Sequence, residues 1–399
     1  MTNDNQHIPS GYKPSPLGII PKDWEVKRLG EICTHFKSGN TITSKEITEV
    51  GLYPVYGGNG LRGYSNTYTH EGNYILIGRQ GALCGNINYV EGKNYISEHA
   101  IAVQTNENMQ WLKYKLENWN LNRFSESSAQ PGLSVEKLVR YKLSVPTAKE
   151  QNKIADILSL WDTAIAKQTA LIEQLAMRKR GLMQQLLTGK KRLKGFEGEW
   201  KRIKLGDIAE RITRKNEEDN QNVVTISAQR GFVVQTDFFN KSIASETLDN
   251  YFLVHKDEFC YNKSYSNGYP MGAIKRLKTF DKAVVTTLYI CFALKNKTTT
   301  NIDFFEQYCE SGILNKELVK VANEGGRAHG LLNVTPTDFF NMHMSIPSID
   351  EQNAIASVLV DADKGIEIQK QKLAAMQEQK KGLMQVLLTG KKRIKTTSL

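Results

Sequence analysis

Two glycine-rich stretches in the first half of the chain carry side chains that could contact the edges of nucleic-acid bases. Arg donates two hydrogen bonds to guanine, and Asn or Gln pairs in the same way with adenine. Glycine lets the backbone approach a groove wall closely. The stretches 56–64 (YGGNGLRGY) and 78–81 (GRQG) together indicate DNA contact, although each residue alone fits an ordinary polar turn equally well. The candidates are Tyr56, Asn59, Arg62, Tyr64, Arg79 and Gln80.

The second half of the chain contains comparable stretches at 262–268 (NKSYSNG) and 325–330 (GGRAHG), with a weaker one at 229–231 (QRG). Their tyrosine could stack on a base or sugar, although a packed core or turn tyrosine is the commoner explanation. The corresponding candidates are Arg230, Asn262, Lys263, Tyr265, Asn267, Arg327 and His329.

Motifs for catalysis, cofactors and metals are missing from the sequence. It has no G-x4-G-K-[ST] phosphate loop and no G-x-G-x-x-G that leads from a predicted strand into a helix, and without any Pro-Pro it cannot carry an N-P-P-F amino-methyltransferase motif. The seven histidines are dispersed, and the five cysteines show no C-x-x-C spacing. We therefore predict a non-enzymatic chain without cofactor, metal or disulfide. A nuclease built from scattered carboxylates stays an alternative.

The sequence contains one structural frame twice. Residues 178–194 and 379–395 share 13 of 17 positions, and the match extends back to Pro146 and Pro347. Each copy also begins with a W-x4-LG segment, at Trp24 and Trp200. A repeat of this length indicates two copies of one unit. Each copy is predicted to consist of an entry strand, a variable domain, an exit strand and a long helix.

The net charge of +11 is concentrated in the two basic segments. Residues 178–194 carry seven Lys/Arg and residues 379–395 carry six, and neither segment has an acidic residue. The variable regions are nearly neutral, with 15 basic and 13 acidic residues in 1–145 and 19 of each in 195–346. Since phosphate neutralisation supplies most non-specific DNA affinity, a partner or the basic segments would have to provide it. The segments GKKRLK and GKKRIK are interpreted as phosphate contacts, as a docking site for an acidic partner, or as solvated helix ends.

A 3.5-residue apolar period after each exit strand predicts a coiled coil. Gln168 and Gln369 interrupt the period at matching places, as polar residues that set a register do. A homodimer zipper is one interpretation, and antiparallel pairing within the chain is favoured because two copies of the stripe are present. The predicted interface residues are Ile154, Leu158, Trp161, Ile165, Ile172, Leu175, Ile355, Leu359, Ile366, Leu373 and Met376.

The variable regions are predicted to mix strands and helices. Residues 73–104 alternate short β-rich runs with glycine turns, and 109–124 have helical spacing. The second region repeats this order, with a strand run at 284–294 and a helix predicted over 302–322.

The expected fold is therefore α+β: two globular recognition domains separated by two long antiparallel coiled-coil helices, with an internal pseudo-twofold repeat. The predicted boundaries are an N-terminal extension 1–20, domain one 21–147, helix one 148–188, linker 189–197, domain two 198–348, helix two 349–389 and a basic tail 390–399.

These duplicated motifs resemble the specificity subunits of type I restriction–modification systems. The marks are the two W-x4-LG entries, the two P-x3-EQ-x2-I helix starts and the two GLMQ-x-LLTGKKR segments. The family's usual Pro-Pro pair after the exit strand is replaced by Pro146-Thr147 and Pro347-Ser348. That change is conservative at a helix start.

The resemblance implies a sequence-specific subunit that binds double-stranded DNA, each domain reading half of a bipartite asymmetric site. It also implies two methyltransferase (M) subunits that methylate adenine, and restriction (R) subunits that cleave. S-adenosylmethionine, ATP and Mg would be bound by those partners. A reducing cytoplasm is the expected location, with no membrane partner, because no apolar run is long enough to cross a bilayer. The alternative is a coiled-coil scaffold whose variable domains bind proteins.

Overall fold

The computed structural model describes residues 8–81, 83–125, 132–235, 248–322 and 332–394, which fold into two compact units. Unit 1 comprises Met1–Thr169 together with Gln371–Leu399, and unit 2 comprises Ala170–Lys370. Each unit therefore contains one variable region and about half of each long helix.

Unit 1 is built largely from short strands. They are β1 (Tyr12–Ser15), β2 (Gly18–Pro21), β3 (Glu25–Arg28), β4 (Cys33–Ser38), β5 (Tyr53–Gly57), β6 (Gly60–Ser65), β7 (His70–Glu71), β8 (Tyr74–Gly78), β9 (Ile87–Val90), β10 (Lys93–Ile96), β11 (Ala100–Thr105) and β12 (Lys142–Val145). The helices are α1 (Leu29–Ile32), α2 (Met109–Trp119), α3 (Val135–Leu138) and the first part of α4 (Ala148–Leu186), with 3₁₀ turns at Ser44–Glu46 and Leu121–Phe124.

Unit 2 repeats this order with fewer strands among its described residues. They are β13 (Lys201–Lys204), β14 (Ala209–Ile212), β15 (Val224–Ser227), β16 (Gly231–Val234), β17 (Phe252–His255), β18 (Phe259–Asn262), β19 (Ala273–Arg276), β20 (Lys282–Val285), β21 (Ile290–Leu294) and β22 (His343–Ile346). The helices are α5 (Leu205–Ile208), α6 (Ile302–Glu310), α7 (Asn315–Val321), α8 (Pro336–Asn341) and the first part of α9 (Ile349–Leu387).

The same antiparallel sheet lies at the centre of both units. Its strand order is β4-β11-β8-β9 in unit 1 and β14-β21-β18-β19 in unit 2. The entry and exit strands also pair antiparallel in each unit, β3 with β12 and β13 with β22. The α+β class and the internal repeat predicted from the sequence are confirmed.

The units differ outside this shared sheet. Unit 1 adds a second four-stranded sheet in the order β6-β5-β10-β7, in which β10 and β5 are parallel, and a β1–β2 hairpin. Unit 2 has instead the two-stranded pairs β15–β16 and β17–β20. The variable regions are therefore unlike each other mainly in what is attached to a common sheet.

Three predicted elements are shorter than expected. The helix over 109–124 ends at Trp119, where Asn120 takes a left-handed conformation with φ of 50°. The helix over 302–322 is broken into α6 and α7 at Gly312, which has φ of 74°. The strand run over 284–294 is likewise two strands, because β20 ends at Val285 and β21 begins at Ile290. Local apolar spacing does not reveal such breaks, since the apolar residues continue on both sides.

The long helices run antiparallel within each unit. In unit 1 the Lys380 ammonium contacts Asp162, while Arg393, just beyond the end of α9, contacts Glu150 near the start of α4. The two helices also share the apolar core of the unit, where Leu158 and Leu387 are both buried. Pairing within the chain, the arrangement favoured from the sequence, is therefore confirmed.

The predicted coiled-coil residues all lie on buried or half-buried positions. Fully buried are Ile154, Leu158, Ile355 and Leu359. Half-buried are Trp161, Ile165, Ile172, Leu175, Ile366, Leu373 and Met376. The polar Gln168 is only 6% exposed. The helices are thus most deeply packed at their ends, where they enter the domain cores.

Candidate nucleic-acid interface

The first candidate stretch of unit 1 forms a tight β-hairpin. Strands β5 and β6 pair down to Gly57 and Gly60, so that Gly58 and Asn59 make a two-residue turn. Asn59 and Arg62 are exposed. The two tyrosines of this stretch, Tyr56 and Tyr64, are half-buried. The hairpin therefore presents one amide and one guanidinium to solvent near its tip.

The second candidate stretch of unit 1 packs against the tip of this hairpin. A Cβ atom added to Gly78 would lie 2.6 Å from the Gly58 carbonyl oxygen, so only glycine permits the approach. The Arg79 N–H donates to the His99 carbonyl at 2.9 Å. The fold therefore brings together two loops that the sequence suggested separately.

His99 is a candidate that the sequence did not single out. Its ring Nδ1 lies 3.3 Å from Gln80 Oε1, and its Nε2 lies 3.2 Å from Glu98 Oε1. Gln80 itself is exposed. The ring thus lies beside the candidate amide. No local motif marks this histidine, which reaches the interface only because the turn before β11 folds against the loop after β8.

The candidates of unit 2 also converge on one place. The turn between β15 and β16 contains Arg230, which is exposed. Next to it, Gln229 Nε2 donates to the Asn267 carbonyl at 2.9 Å, which joins this turn to the loop after β18. In that loop Tyr265 is 68% exposed. Unit 2 therefore presents a tyrosine and an arginine on adjacent loops.

Asn262 holds its loop through both polar ends of its side chain. The amide nitrogen donates to the Ile226 carbonyl at 3.0 Å, and the amide oxygen accepts the N–H of Ser264 at 3.0 Å. Lys263 is half-buried beside it. The predicted candidates Arg327 and His329 lie outside the described residues.

Arg79 and Lys263 occupy equivalent places in the two units. Each residue follows the same sheet strand, β8 in unit 1 and β18 in unit 2. The Arg79 carbonyl accepts the N–H of Leu133 at 2.9 Å, and the Lys263 carbonyl accepts the N–H of Leu332 at 3.0 Å. The two units thus place a basic residue on the same backbone scaffold, inside loops of otherwise different sequence.

The repeated motifs meet in a contact that we term the closing triad. In unit 1 it consists of Trp24, Glu150 and Arg393. The Trp24 indole N–H donates to Glu150 Oε2 at 2.8 Å, and Arg393 donates to both oxygens of Glu150 at 2.8 and 2.9 Å. Arg393 also makes two bonds of 2.8 Å to Asp23. The hydrogen bonds to Glu150 raise the pKa of Arg393.

Unit 2 forms its closing triad from Trp200, Glu351 and Arg192. Arg192 donates to the two Glu351 oxygens at 2.5 and 2.6 Å, and this contact raises the pKa of Arg192. The guanidinium lies 5.9 Å from the centre of the Trp200 ring. Arg192 and Arg393 thus form intramolecular ion pairs, a role that the sequence interpretation missed. The lysines just before them, Lys190, Lys191, Lys391 and Lys392, are exposed.

The glutamine that follows each of these glutamates hydrogen-bonds the start of the domain helix, α2 in unit 1 and α6 in unit 2. Gln151 Oε1 accepts the Asn108 N–H at 2.9 Å, and its Nε2 donates to the Pro146 carbonyl at 3.0 Å. In unit 2 Gln352 bonds Asn301 and Pro347 at the same distances. The repeated Glu-Gln-Asn is therefore explained by packing of the frame.

An ion pair links the two long helices in each unit. Lys380 contacts Asp162 in unit 1 at 2.5 Å, and Lys179 contacts Asp363 in unit 2 at 2.6 Å. Each aspartate also accepts a hydrogen bond from the domain helix, from the Tyr114 hydroxyl at 2.6 Å and from Gln307 Nε2 at 2.7 Å. Burial, together with the bond to Asp162, raises the pKa of Tyr114.

Across the described ranges, no cluster of His, Cys, Asp and Glu could hold a metal ion. None of the described helices is both long and apolar enough to cross a membrane.

The fold and the two loop clusters define a class of protein: a tandem of α+β domains, each displaying variable polar loops on a frame closed by two antiparallel helices. A family model described as the type I restriction modification DNA specificity domain matches residues 21–177 and again residues 197–378. The chain belongs to this family and is a type I specificity subunit.

Relatives in several organisms agree with this assignment. The chain is 45% identical over 161 residues to the type I restriction enzyme EcoprrI specificity subunit of Escherichia coli, a match that covers 38% of this chain and 40% of that one. It is 24% identical over 424 residues to the MjaVIII specificity subunit of Methanocaldococcus jannaschii, with 94% of both chains covered.

Solved structures show the same fold at low sequence identity. The type I restriction–modification S subunit of M. genitalium matches with a TM-score of 0.56 and 17% identity, covering 92% of this chain and 96% of that one. A chain from a study of assembly and conformational transition of the type I R-M system matches with a TM-score of 0.56 and 14% identity, covering 93% and 99%.

Proposed function

We propose that each recognition domain of this subunit reads one half of a bipartite, asymmetric DNA site. The equivalence of Arg79 and Lys263 carries this proposal. Both residues follow the same strand of the same sheet, and both lie among exposed polar side chains that differ between the units. Equivalent scaffolds with different side chains suit the reading of two different base sequences.

The chemistry of such a complex belongs to its partners in this proposal. The chain would assemble with two methyltransferase subunits, which methylate adenine, and with restriction subunits, which cleave. S-adenosylmethionine, ATP and Mg would be bound by those subunits, and this chain would be non-catalytic. The absence of nucleotide-binding and amino-methyltransferase motifs from the sequence supports this division.

Methylome sequencing of two loop variants tests the division of the site. Replacing Arg79 and Gln80 by Ala is expected to relax or abolish recognition in one half-site and leave the other half unchanged. The variant Lys263→Ala is expected to affect the opposite half. Lys45→Ala, an exposed lysine in a 3₁₀ turn of unit 1, is the surface control.

Thermal unfolding of each variant separates a lost contact from a lost fold. If variants that fold normally change both half-sites, or change neither, then the loops do not read separate halves and the proposal is wrong.

A further inference from the structure

A wide cleft in unit 2 adjoins the β15–β16 turn described above and extends from it along the long helices. It has a volume of about 900 Å³ and is bounded by the α4 and α9 segments of this unit, by α6, and by the β15–β16 turn. Its lining contains seven basic and three acidic side chains. These are Lys179, Arg180, Arg230, Lys275, Arg276, Lys278, Lys370, Glu306, Glu310 and Asp363.

Each acidic side chain in this lining is neutralised by a basic neighbour from the same lining. Lys179 contacts Asp363 at 2.6 Å. Lys275 contacts Glu310 at 2.5 Å, and Lys278 contacts Glu306 at 2.7 Å. The carboxylates therefore leave no uncompensated negative charge in the cleft.

Three basic side chains of the lining have no such partner. Arg276 is compensated from outside the cleft, by Asp257 at 2.5 Å and Asp303 at 2.6 Å. Within the part of the chain that the structure describes, no ion pair engages Arg180, Arg230 or Lys370, and all three are exposed. The cleft thus carries a local excess of about three positive charges, although the second variable region is neutral as a whole.

The unpaired charges are spread along the cleft. Lys179 lies beside Asp363 in the antiparallel helix pair. Arg180 is one residue beyond Lys179 in one direction along the pair, and Lys370 is seven residues beyond Asp363 in the opposite direction, which makes eight residues in total. At 1.5 Å per residue this separates them by about 12 Å along the helix axis. This spacing suits the backbone of one DNA strand, which presents a charge every ~3.4 Å along the duplex.

We propose that this cleft contacts the phosphate backbone of DNA next to the half-site that unit 2 reads, through Arg180 and Lys370 of the long helices. Arg230, which lines the same cleft and lies in the β15–β16 turn, joins these contacts to the reading loops. The inference rests on the proposed DNA-reading function and adds to it a surface on the helical frame, where no base is read. At the positions equivalent to Arg180 and Lys370, unit 1 has Lys381 and Thr169, so its frame carries one positive charge fewer there.

The test uses the full chain assembled with its methyltransferase partners and a duplex containing the recognised site. The double variant Arg180→Gln, Lys370→Gln should bind more weakly at low salt, with the slope of log K against log salt reduced by about two, because each phosphate contact contributes roughly 0.9. The methylated sequence should not change, since backbone contacts carry no base information. Lys381→Gln is the matched control for substituting one exposed helix cation.

The outcomes separate this inference from the proposed function. If the wild-type complex shows no sequence preference at all, the proposed function fails. If the wild-type complex is specific but the double variant keeps the salt slope of the wild type, the cleft does not contact DNA. Calorimetric titration with a nucleoside triphosphate distinguishes a second source of phosphate: binding that the double variant loses would assign the cleft to a free nucleotide and overturn the DNA assignment.

Discussion

The closing triads of the two units differ in how their tryptophan is bonded. In unit 1 the Trp24 indole donates to Glu150, whereas the Trp200 indole N–H of unit 2 is buried with no hydrogen-bond partner among the described residues. Among the described residues, the carboxylate of Glu351 is instead bonded by Arg192. The bidentate Arg–Glu pair is therefore what the two units share, and the indole bond strengthens it in unit 1.

The origin of the arginine differs as well. Arg192 lies eight positions before Trp200 in the chain, while Arg393 lies 369 positions after Trp24. Unit 1 is thus completed by residues that follow unit 2 in sequence. The repeated motif therefore specifies the contact and not the order in which the chain supplies its parts.

The largest expected difference between the units comes from removing each arginine. Arg393→Gln leaves the carboxylate of Glu150, which is 1% exposed, without its cation, and breaking a buried ion pair costs roughly 3–5 kcal/mol. Arg192→Gln should cost more, because Glu351 is equally buried and, among the described residues, keeps no indole hydrogen bond once the arginine is removed. Chemical denaturation measures the loss, and hydrogen exchange shows which unit opens.

Lys391→Gln is the control, since this lysine belongs to the same segment and is exposed. Equal losses for the two arginine variants, or protection lost in the wrong unit, would contradict the comparison.

A buried lysine distinguishes unit 1 further. Lys115 donates to the Leu388 carbonyl at 2.6 Å and to Ser144 Oγ at 3.1 Å, where the equivalent residue of unit 2 is Tyr308. Burial lowers the pKa of Lys115 to about 8. Because the unfolded chain then binds more protons than the folded one, stability attributable to this group should rise as the pH increases from about 8 to about 10.5.

Comparison of the wild type with Lys115→Met over this pH window measures the effect. The free energy of unfolding of the wild type relative to the variant should rise by roughly 3 kcal/mol, because each unit by which the pKa is lowered contributes about 1.4 kcal/mol. The variant Tyr308→Phe serves as the unit 2 control. If the difference in unfolding free energy between the wild type and Lys115→Met does not change with pH, then burial does not lower the pKa of the Lys115 amine.

The smallest effect concerns the tryptophans themselves. Trp24→Phe removes a buried hydrogen bond to an ionised group, worth about 1.5–3 kcal/mol, in addition to the lost ring volume. Trp200→Phe removes similar volume without breaking a hydrogen bond, so its loss of unfolding free energy should be smaller by about 1.5–3 kcal/mol. Paired denaturation curves test the order. A larger loss for Trp200→Phe would mean that ring packing, and not the indole bond, distinguishes the triads.

The sequence alone determined the frame of this protein. The α+β class, the duplication and the antiparallel helices follow from motifs repeated at matching places and from an apolar period that continues past Leu158 and Leu359. Such patterns can be recognised because they are local: a helix buries its apolar residues on one face, and their spacing appears in consecutive residues. The glycine-rich loops were also recognisable as polar and exposed.

Only the tertiary structure decided which residues meet. It placed Gly58 against Gly78, brought His99 to Gln80, and turned Arg192 and Arg393 from predicted phosphate or partner contacts into ion pairs with buried glutamates. It also placed Arg180 and Lys370 of the long helices in the lining of a cleft beside the second variable region, which is neutral as a whole. These contacts join residues far apart in the chain, so their energies depend on distances and burial that no run of consecutive residues encodes.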